Sequence, residues 1–278
     1  MNSLRLDAHQ HFWAYDAEQY PWIPKDTPLH HDWFPADLER EQAKVGMQGS
    51  VAVQARQTIE ESRWLLTLAD HAPLVRGVVG WVDLRSPGVA HDLEELARHP
   101  KFVGVRHVVQ DEPDNEFLVR PEFVRGLRAL GPLKLRYDLL VVPRQLPAAI
   151  RLVQELPEQP FVVDHIAKPP IKRGEFSPWK EQMAALAKSP NVWCKVSGII
   201  TEADHKTWTA EQIRPYLDVV FEAFGTKRLM FGSDWPVCLL AGSYEQVYRL
   251  IDDYTRALSE PDREAIFGGN AARFYGLK

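Results

Sequence analysis

The chain repeats one arrangement eight times: a short apolar run, often rich in β-branched residues, ends in polar side chains and gives way to another segment, most often one with helical spacing. Strands separated by helices favour a parallel sheet, and eight strands close a (β/α)8 barrel. We therefore predict an α/β fold, a single TIM-type (β/α)8 barrel over residues 1–278. The predicted strands lie in Leu4–Trp13, Ser50–Ala55, Val75–Val82, Phe102–His107, Leu133–Val141, Phe161–His165, Val192–Ser197 and Leu229–Asp234.

The length of the chain agrees with this fold. A barrel of this kind takes about 250 residues, so the 278 residues leave little over. An open doubly wound sheet is the alternative, but the glycine-rich turn that usually follows its first strand is missing here. The long connection 14–35 is rich in aromatic residues and prolines. It leaves the end of the first strand, and we predict that it forms a lid over a site.

The composition of the chain argues against several classes of binding partner. A net charge of −5 and a pI near 6.1 supply no basic field, which argues against nucleic acid and against an anionic membrane surface. No apolar run approaches the roughly 18 residues of a membrane span, and no signal segment is visible. The two cysteines, Cys194 and Cys238, are too few for a disulfide framework, so we predict a cytoplasmic protein. The oligomeric state is left open.

The first strand carries a His-x-His pair. Because side chains alternate along a strand, His9 and His11 should share one face, with Asp7 behind them, while Leu6 and Ala8 point the other way. Polar residues also end the other strands, and barrel enzymes build their sites at those ends. Three imidazoles and a carboxylate at strands one, six and eight therefore predict a reaction site formed by His9, His11, His165 and Asp234.

Three motifs together resemble the amidohydrolase superfamily and, more narrowly, its sugar-lactonase branch of the L-fuconolactonase and L-rhamnonolactonase type. They are His9–Trp13, Asp164–Pro169 and Phe231–Pro236, and the similarity extends to Gln54–Arg56, Val79–Arg85 and Asn270–Tyr275. The resemblance implies a hydrolase that opens an aldonolactone, such as L-fucono- or L-rhamnono-lactone, to the aldonic acid. It also implies that the three histidines face the barrel centre and that Asp234 activates a water as general base.

The residues are consistent with that chemistry. Opening a cyclic ester requires a base for water, a donor or cation at the carbonyl, and a proton for the departing alkoxide. Asp234 can take and return the proton, and no Gly-x-Ser-x-Gly nucleophile motif competes with direct attack by water. Binuclear relatives carry a lysine at strand four and a histidine at strand five, whereas this chain has Arg106-His107 and Tyr137-Asp138 there. We therefore expect no two-metal site. His9, His11, His165 and Asp234 could hold one zinc, although metal-free catalysis stays open.

Hydrogen-bond donors at the ends of strands two and four are the expected substrate-binding residues, namely Gln54, Arg56, Arg106 and His107. Lys168 and Lys195 are expected to be structural or substrate-orienting. Two alternatives to the lactonase remain: a decarboxylase of the same superfamily and a non-catalytic sugar-binding barrel.

Overall fold

In the computed structural model, which describes residues 4–277, eight parallel strands form one sheet in the order β1 to β8. The sheet closes where Gln10 forms a bridge with Trp235, supported by hydrogen bonds from His11 N to Trp235 O (2.7 Å) and from Asp234 N to His9 O (2.8 Å). The predicted (β/α)8 barrel is confirmed. The strands are β1 Leu6–Gln10, β2 Gly49–Val53, β3 Val75–Gly80, β4 Phe102–His107, β5 Arg136–Leu139, β6 Phe161–Val163, β7 Val192–Val196 and β8 Leu229–Phe231.

Helices surround the barrel, and three of them begin at a capping side chain. The side chains of Thr58, Thr209 and Ser243 each accept a hydrogen bond from the backbone N–H three residues later, which satisfies a donor that the first helical turn leaves free. Helix α4 was not predicted, since two 3₁₀ turns precede it and its eight residues are short for a periodic pattern. The helices are α1 Pro35–Val45, α2 Ile59–His71, α3 Val89–Ala97, α4 Pro121–Arg128, α5 Leu146–Glu155, α6 Trp179–Leu186, α7 Ala210–Phe224, α8 Tyr244–Tyr254, α9 Glu260–Glu264 and α10 Asn270–Tyr275.

No helix within residues 4–277 combines the length and the apolar character that crossing a lipid bilayer requires.

The C-terminal helix α10 closes the amino-terminal end of the barrel. Ala271, Phe274 and Tyr275 pack with inward-facing strand residues such as Leu6 and Val51, and all of these side chains are buried. Burial of a side chain of this size is worth about 1.5–3 kcal/mol. The lower half of the barrel is therefore a packed apolar core, and the upper half is free to carry polar groups.

A bulge in β1 corrects the predicted alternation of its side chains. Asp7 pairs with Ser50 and Gln10 with Ala52, so β1 has one residue more than β2 over this stretch. The extra residue changes which face the next side chain occupies. As a result Asp7 points outward, where its Oδ2 accepts a hydrogen bond from Tyr244 of α8 (3.1 Å), while His9 points inward. Leu6 and Ala8 lie in the barrel interior, so the prediction for Asp7, Leu6 and Ala8 was wrong.

Candidate active site

Four ionisable side chains from three strands meet at the carboxyl end of the barrel. The Nε2 atoms of His9 and His11 are 3.2 Å apart, and Nε2 of His11 lies 3.3 Å from Oδ1 of Asp234. The Nε2 atoms of His9 and His165 each lie 3.8 Å from the same carboxylate oxygen. All four side chains are buried. The structure thus brings together the four residues that the sequence assigns to one site.

His165 is presented by a left-handed turn. Residues 165–168 have φ values of 53°, 47°, 60° and 49°, although none is glycine. The left-handed conformation costs about 1–2 kcal/mol per non-glycine residue, so packing must hold the turn. Ile166 and Ala167 are fully buried, and Trp179 Nε1 donates to the carbonyl of Ile166 (2.8 Å). Such strain is typical of functional sites.

Two glycines allow the site residues to approach the neighbouring strands. A Cβ on Gly232 would lie 2.7 Å from Cβ of His9, and a Cβ on Gly198, which has φ of +59°, would lie 2.4 Å from Nδ1 of His165. Nδ1 of His165 lies instead 3.0 Å from Oγ of Ser197, which fixes the ring. These close approaches leave no room for a side chain at either position.

Burial sets the protonation states of the cluster. It lowers the pKa of His165 to about 4, although the carboxylate of Asp234 opposes the shift, and it lowers the pKa of His9 well below its usual range. Burial by itself would raise the pKa of Asp234, but the positive charge that His165 gains at acid pH and the hydrogen bond with His11 hold that pKa below its usual range. At neutral pH an ionised carboxylate therefore faces neutral imidazoles of His9 and His165.

Three of these residues, His9, His11 and Asp234, place their donor atoms at separations that suit one zinc ion. Zinc binds neutral imidazole nitrogens and carboxylate oxygens, and ligand distances of about 2.0–2.2 Å in a tetrahedral site place the donors about 3.3–3.5 Å apart. The donor atoms of His9, His11 and Asp234 are 3.2–3.8 Å apart, whereas His165 comes within 3.8 Å of Asp234 but does not join this group. A second group, formed by His9, Asp164 and His165, also places its donors within 4.8 Å of one another. There, however, the ammonium of Lys195 lies 3.0 Å from Asp164 Oδ1 and already supplies a positive charge.

Arg106 and Gln54, two of the expected substrate-binding residues, contact each other below the cluster. Nη2 of Arg106 donates to the backbone carbonyl (2.5 Å) and to Oε1 (2.8 Å) of Gln54. Nη1 lies 3.0 Å from Asp164 Oδ2 and 3.2 Å from Nε2 of His9. The guanidinium is thus largely engaged by protein groups and forms the floor of the site.

The other two expected residues differ in position. Arg56 lines the cavity; its guanidinium hydrogen-bonds to Gln19 and stacks over the ring of Tyr20, 5.4 Å from its centroid. His107 faces the helix layer, because Nε2 lies 2.7 Å from Glu112 Oε1 and Nδ1 accepts from Trp81 Nε1 (3.3 Å). Both nitrogens of His107 are therefore engaged away from the cluster, and its ring does not line the cavity.

A cavity of about 760 Å³ opens above the cluster. Its floor and walls combine the polar site residues with an apolar face, part of which comes from the connection 14–35. The residues of that connection in the wall are Glu18, Gln19, Pro21, Trp22, Pro24 and Leu29. The other apolar wall residues are Ala55, Val108, Leu140, Val237 and Leu240.

Sequence reasoning assigned no role to the buried carboxylates beneath the cluster and expected Lys195 to be structural or substrate-orienting. Asp138, Asp164 and Lys195 lie there fully buried, together with Tyr275 from α10. Asp138 and Lys195 each lie between apolar neighbours on a strand, and this pattern was the only local sign that they would be buried. Their convergence with a C-terminal tyrosine depends on the closed barrel.

Comparison with known proteins gives consistent results. The model of the family described as "Amidohydrolase" matches residues 6–277. The protein named L-fucono-1,5-lactonase from Burkholderia ambifaria is 39% identical over 99% of this chain and 96% of its own. The protein of the same name from Burkholderia multivorans is 40% identical over 100% and 97%, respectively. A crystal structure of an amidohydrolase from Burkholderia multivorans with bound zinc superimposes with a TM-score of 0.95 at 40% identity, covering 99% of this chain and 100% of that one.

Proposed function

The chain belongs to the amidohydrolase family, and from that premise we propose that it is a lactonase that hydrolyses a sugar lactone, L-fucono-1,5-lactone first among the candidates, to the aldonic acid. The observation that carries the proposal is the carboxylate of Asp234, held among three imidazoles at the base of a cavity of about 760 Å³. Two relatives named for this activity, each matching nearly the whole chain, support the choice of substrate.

In the proposed mechanism Asp234 makes both proton transfers. A water beside Oδ1 of Asp234 gives up a proton to the carboxylate as its oxygen forms a bond to the lactone carbonyl carbon. The bond from that carbon to the ring oxygen then breaks, and the proton held by Asp234 passes to the departing alkoxide. The buried imidazole of His11, 3.3 Å from Asp234 Oδ1, keeps the carboxylate directed at the reacting water.

His9, His11 and Asp234 would also hold the zinc ion, and His165, 3.8 Å from Asp234, is the fourth ligand that we propose. When bound, zinc lowers the pKa of water and polarises a carbonyl oxygen. The bound zinc in the related Burkholderia multivorans structure supports this assignment.

The remaining wall residues suit a deoxy sugar. Arg56 offers a guanidinium to the sugar hydroxyls, and its buried Nε has no hydrogen-bond partner among the described residues. Trp22, Leu29 and Leu140 provide an apolar face for the methyl group that L-fucono-lactone carries in place of a hydroxymethyl group. Arg106 and Gln54 support the floor, and His107 is left out of the substrate-binding set.

A panel of sugar lactones with a pH indicator tests the proposal, with Asp234→Asn as the control for spontaneous opening. We expect fast acid release from L-fucono-1,5-lactone, and slower release by about tenfold to hundredfold from the L-galactono analogue, which adds one hydroxyl to the apolar face. Carbon dioxide release from a carboxylated aromatic substrate would favour the decarboxylase instead. Lactone binding without turnover would favour a sugar-binding protein.

We further propose that the enzyme works in the cytoplasm, which is supported by the two cysteines, both buried and free.

A further inference from the structure

A buried ammonium lies directly beneath the reaction site. Nζ of Lys195, on β7, is 2.5 Å from Asp138 Oδ2, 3.0 Å from Asp164 Oδ1 and 3.1 Å from Nδ1 of His9. Asp138 accepts a hydrogen bond from this ammonium, Asp164 forms an ion pair with it, and the imidazole of His9 lies against it. The side chain is fully buried, so Lys195 is held in one position and touches no bound substrate.

The lower end of this arrangement is the C-terminal helix. The hydroxyl of Tyr275, in α10, lies 3.0 Å from Oδ1 and 2.9 Å from Oδ2 of Asp138. Asp138 in turn pairs with Lys195. The helix that closes the bottom of the barrel therefore connects to the ammonium through one carboxylate.

The upper end is the imidazole of His9. Its Nδ1 faces Lys195 and lies 3.3 Å from Asp164 Oδ1, while its Nε2 faces His11 and Asp234. Both ring edges are engaged, so the ring cannot rotate unless these contacts break. Lys195 and Arg106 balance the two carboxylates of Asp138 and Asp164, and buried charges are tolerated when they are paired in this way.

We propose that Lys195, anchored by Asp138 and Tyr275, is a positioning residue for lactone hydrolysis, which fixes the imidazole of His9 toward Asp234. The inference rests on the proposed function, and it extends the functional machinery to the last helix of the chain. We call the four residues Tyr275, Asp138, Lys195 and His9 the buried column.

The mildest test removes one hydroxyl from the column. Tyr275→Phe should lower kcat by about threefold to tenfold, which is the effect expected from the loss of one hydrogen bond, and should leave KM within twofold. Tyr137→Phe is the matched control, because this neighbouring tyrosine is equally buried and its hydroxyl has no hydrogen-bond partner within residues 4–277. Equal kcat values for the two variants would overturn the proposal.

A second test separates positioning from charge balance. Lys195→Met alone leaves two buried carboxylates without their ammonium and could unfold the protein. The double variant Lys195→Met with Asp138→Asn removes one charge of each sign and should fold. We expect kcat to fall about tenfold to hundredfold, as when outer contacts of a site histidine are removed, with KM little changed. A folded double variant with the kcat of the wild type would show that Lys195 only neutralises charge.

A spectroscopic measurement tests the position of the His9 imidazole without requiring turnover. In ¹⁵N-histidine spectra, the signals of His9, assigned with His9→Gln, should shift in Tyr275→Phe and in the double variant but not in Tyr137→Phe. Unchanged His9 signals would contradict the proposal. If the wild type hydrolyses no lactone, the proposed function fails, and these spectra still test the buried column.

Discussion

Replacing Gly198 by alanine should disable the site although Gly198 itself is not one of the reacting groups. The new Cβ would lie 2.4 Å from Nδ1 and 2.6 Å from Cγ of His165. Since nonbonded atoms of this kind prefer about 3.5 Å, the imidazole must move by about 1 Å. That movement also breaks the 3.0 Å hydrogen bond between His165 Nδ1 and Ser197 Oγ.

Two costs follow for Gly198→Ala. A misplacement of about 1 Å at a reacting group lowers the rate by about 10², so kcat should fall about a hundredfold. Alanine at the left-handed φ of +59° adds about 1–2 kcal/mol of backbone strain, which should lower the melting temperature by several degrees.

The assay measures kcat, KM and the melting temperature of Gly198→Ala beside Gly174→Ala. Gly174 has a similar φ of +67°, but no described atom lies within 4 Å of a Cβ built there. It therefore carries the backbone cost alone and should keep its kcat. If Gly198→Ala turns over within threefold of this control, the argument from the His165 contact is refuted.

Three further variants or treatments test the site and its surroundings. Asp234→Asn should lower kcat by about 10² to 10⁴ with the melting temperature nearly unchanged, and turnover near the wild-type rate would remove Asp234 as the base. Removal of zinc with a chelator should abolish activity and one equivalent of zinc should restore it, whereas activity in a metal-free sample would assign carbonyl polarisation to the imidazoles. Burial raises the pKa of Glu61 from 4.5 to about 7, so the folded state binds its proton more tightly than the unfolded state does. The contribution of Glu61 to the free energy of unfolding is therefore lost as pH rises from 4.5 to 7. The melting temperature of Glu61→Gln should exceed that of the wild type at pH 8 but not at pH 5.

The architecture and the reacting groups were accessible to sequence reasoning because they depend on local patterns. Eight apolar runs gave the strands, and the rule that barrel sites lie at carboxyl ends placed His9, His11, His165 and Asp234 together. The start of α2 at Thr58 depends on an equally local pattern, since a capping side chain acts within one helical turn.

What sequence reasoning missed depends on contacts between distant segments. The outward position of Asp7 follows from a bulge, which appears only when β1 is paired with β2. His107 ends a strand as Arg106 does, but its partner Glu112 comes from the following loop and draws the ring away. The meeting of Tyr275 with Asp138 joins residues 137 positions apart, and no local pattern reports it.

The left-handed turn at residues 165–168 has a consequence for the order in which the protein folds. The left-handed conformation of its four residues costs about 4–8 kcal/mol in total, so in an isolated segment they would relax to other conformations. Only the surrounding layers, including Trp179 of α6, stabilise the turn. The strands and helices should therefore assemble first, and His165 should reach its place after the transition state. Truncation of Ile166 to valine should accelerate unfolding and leave the refolding rate nearly constant.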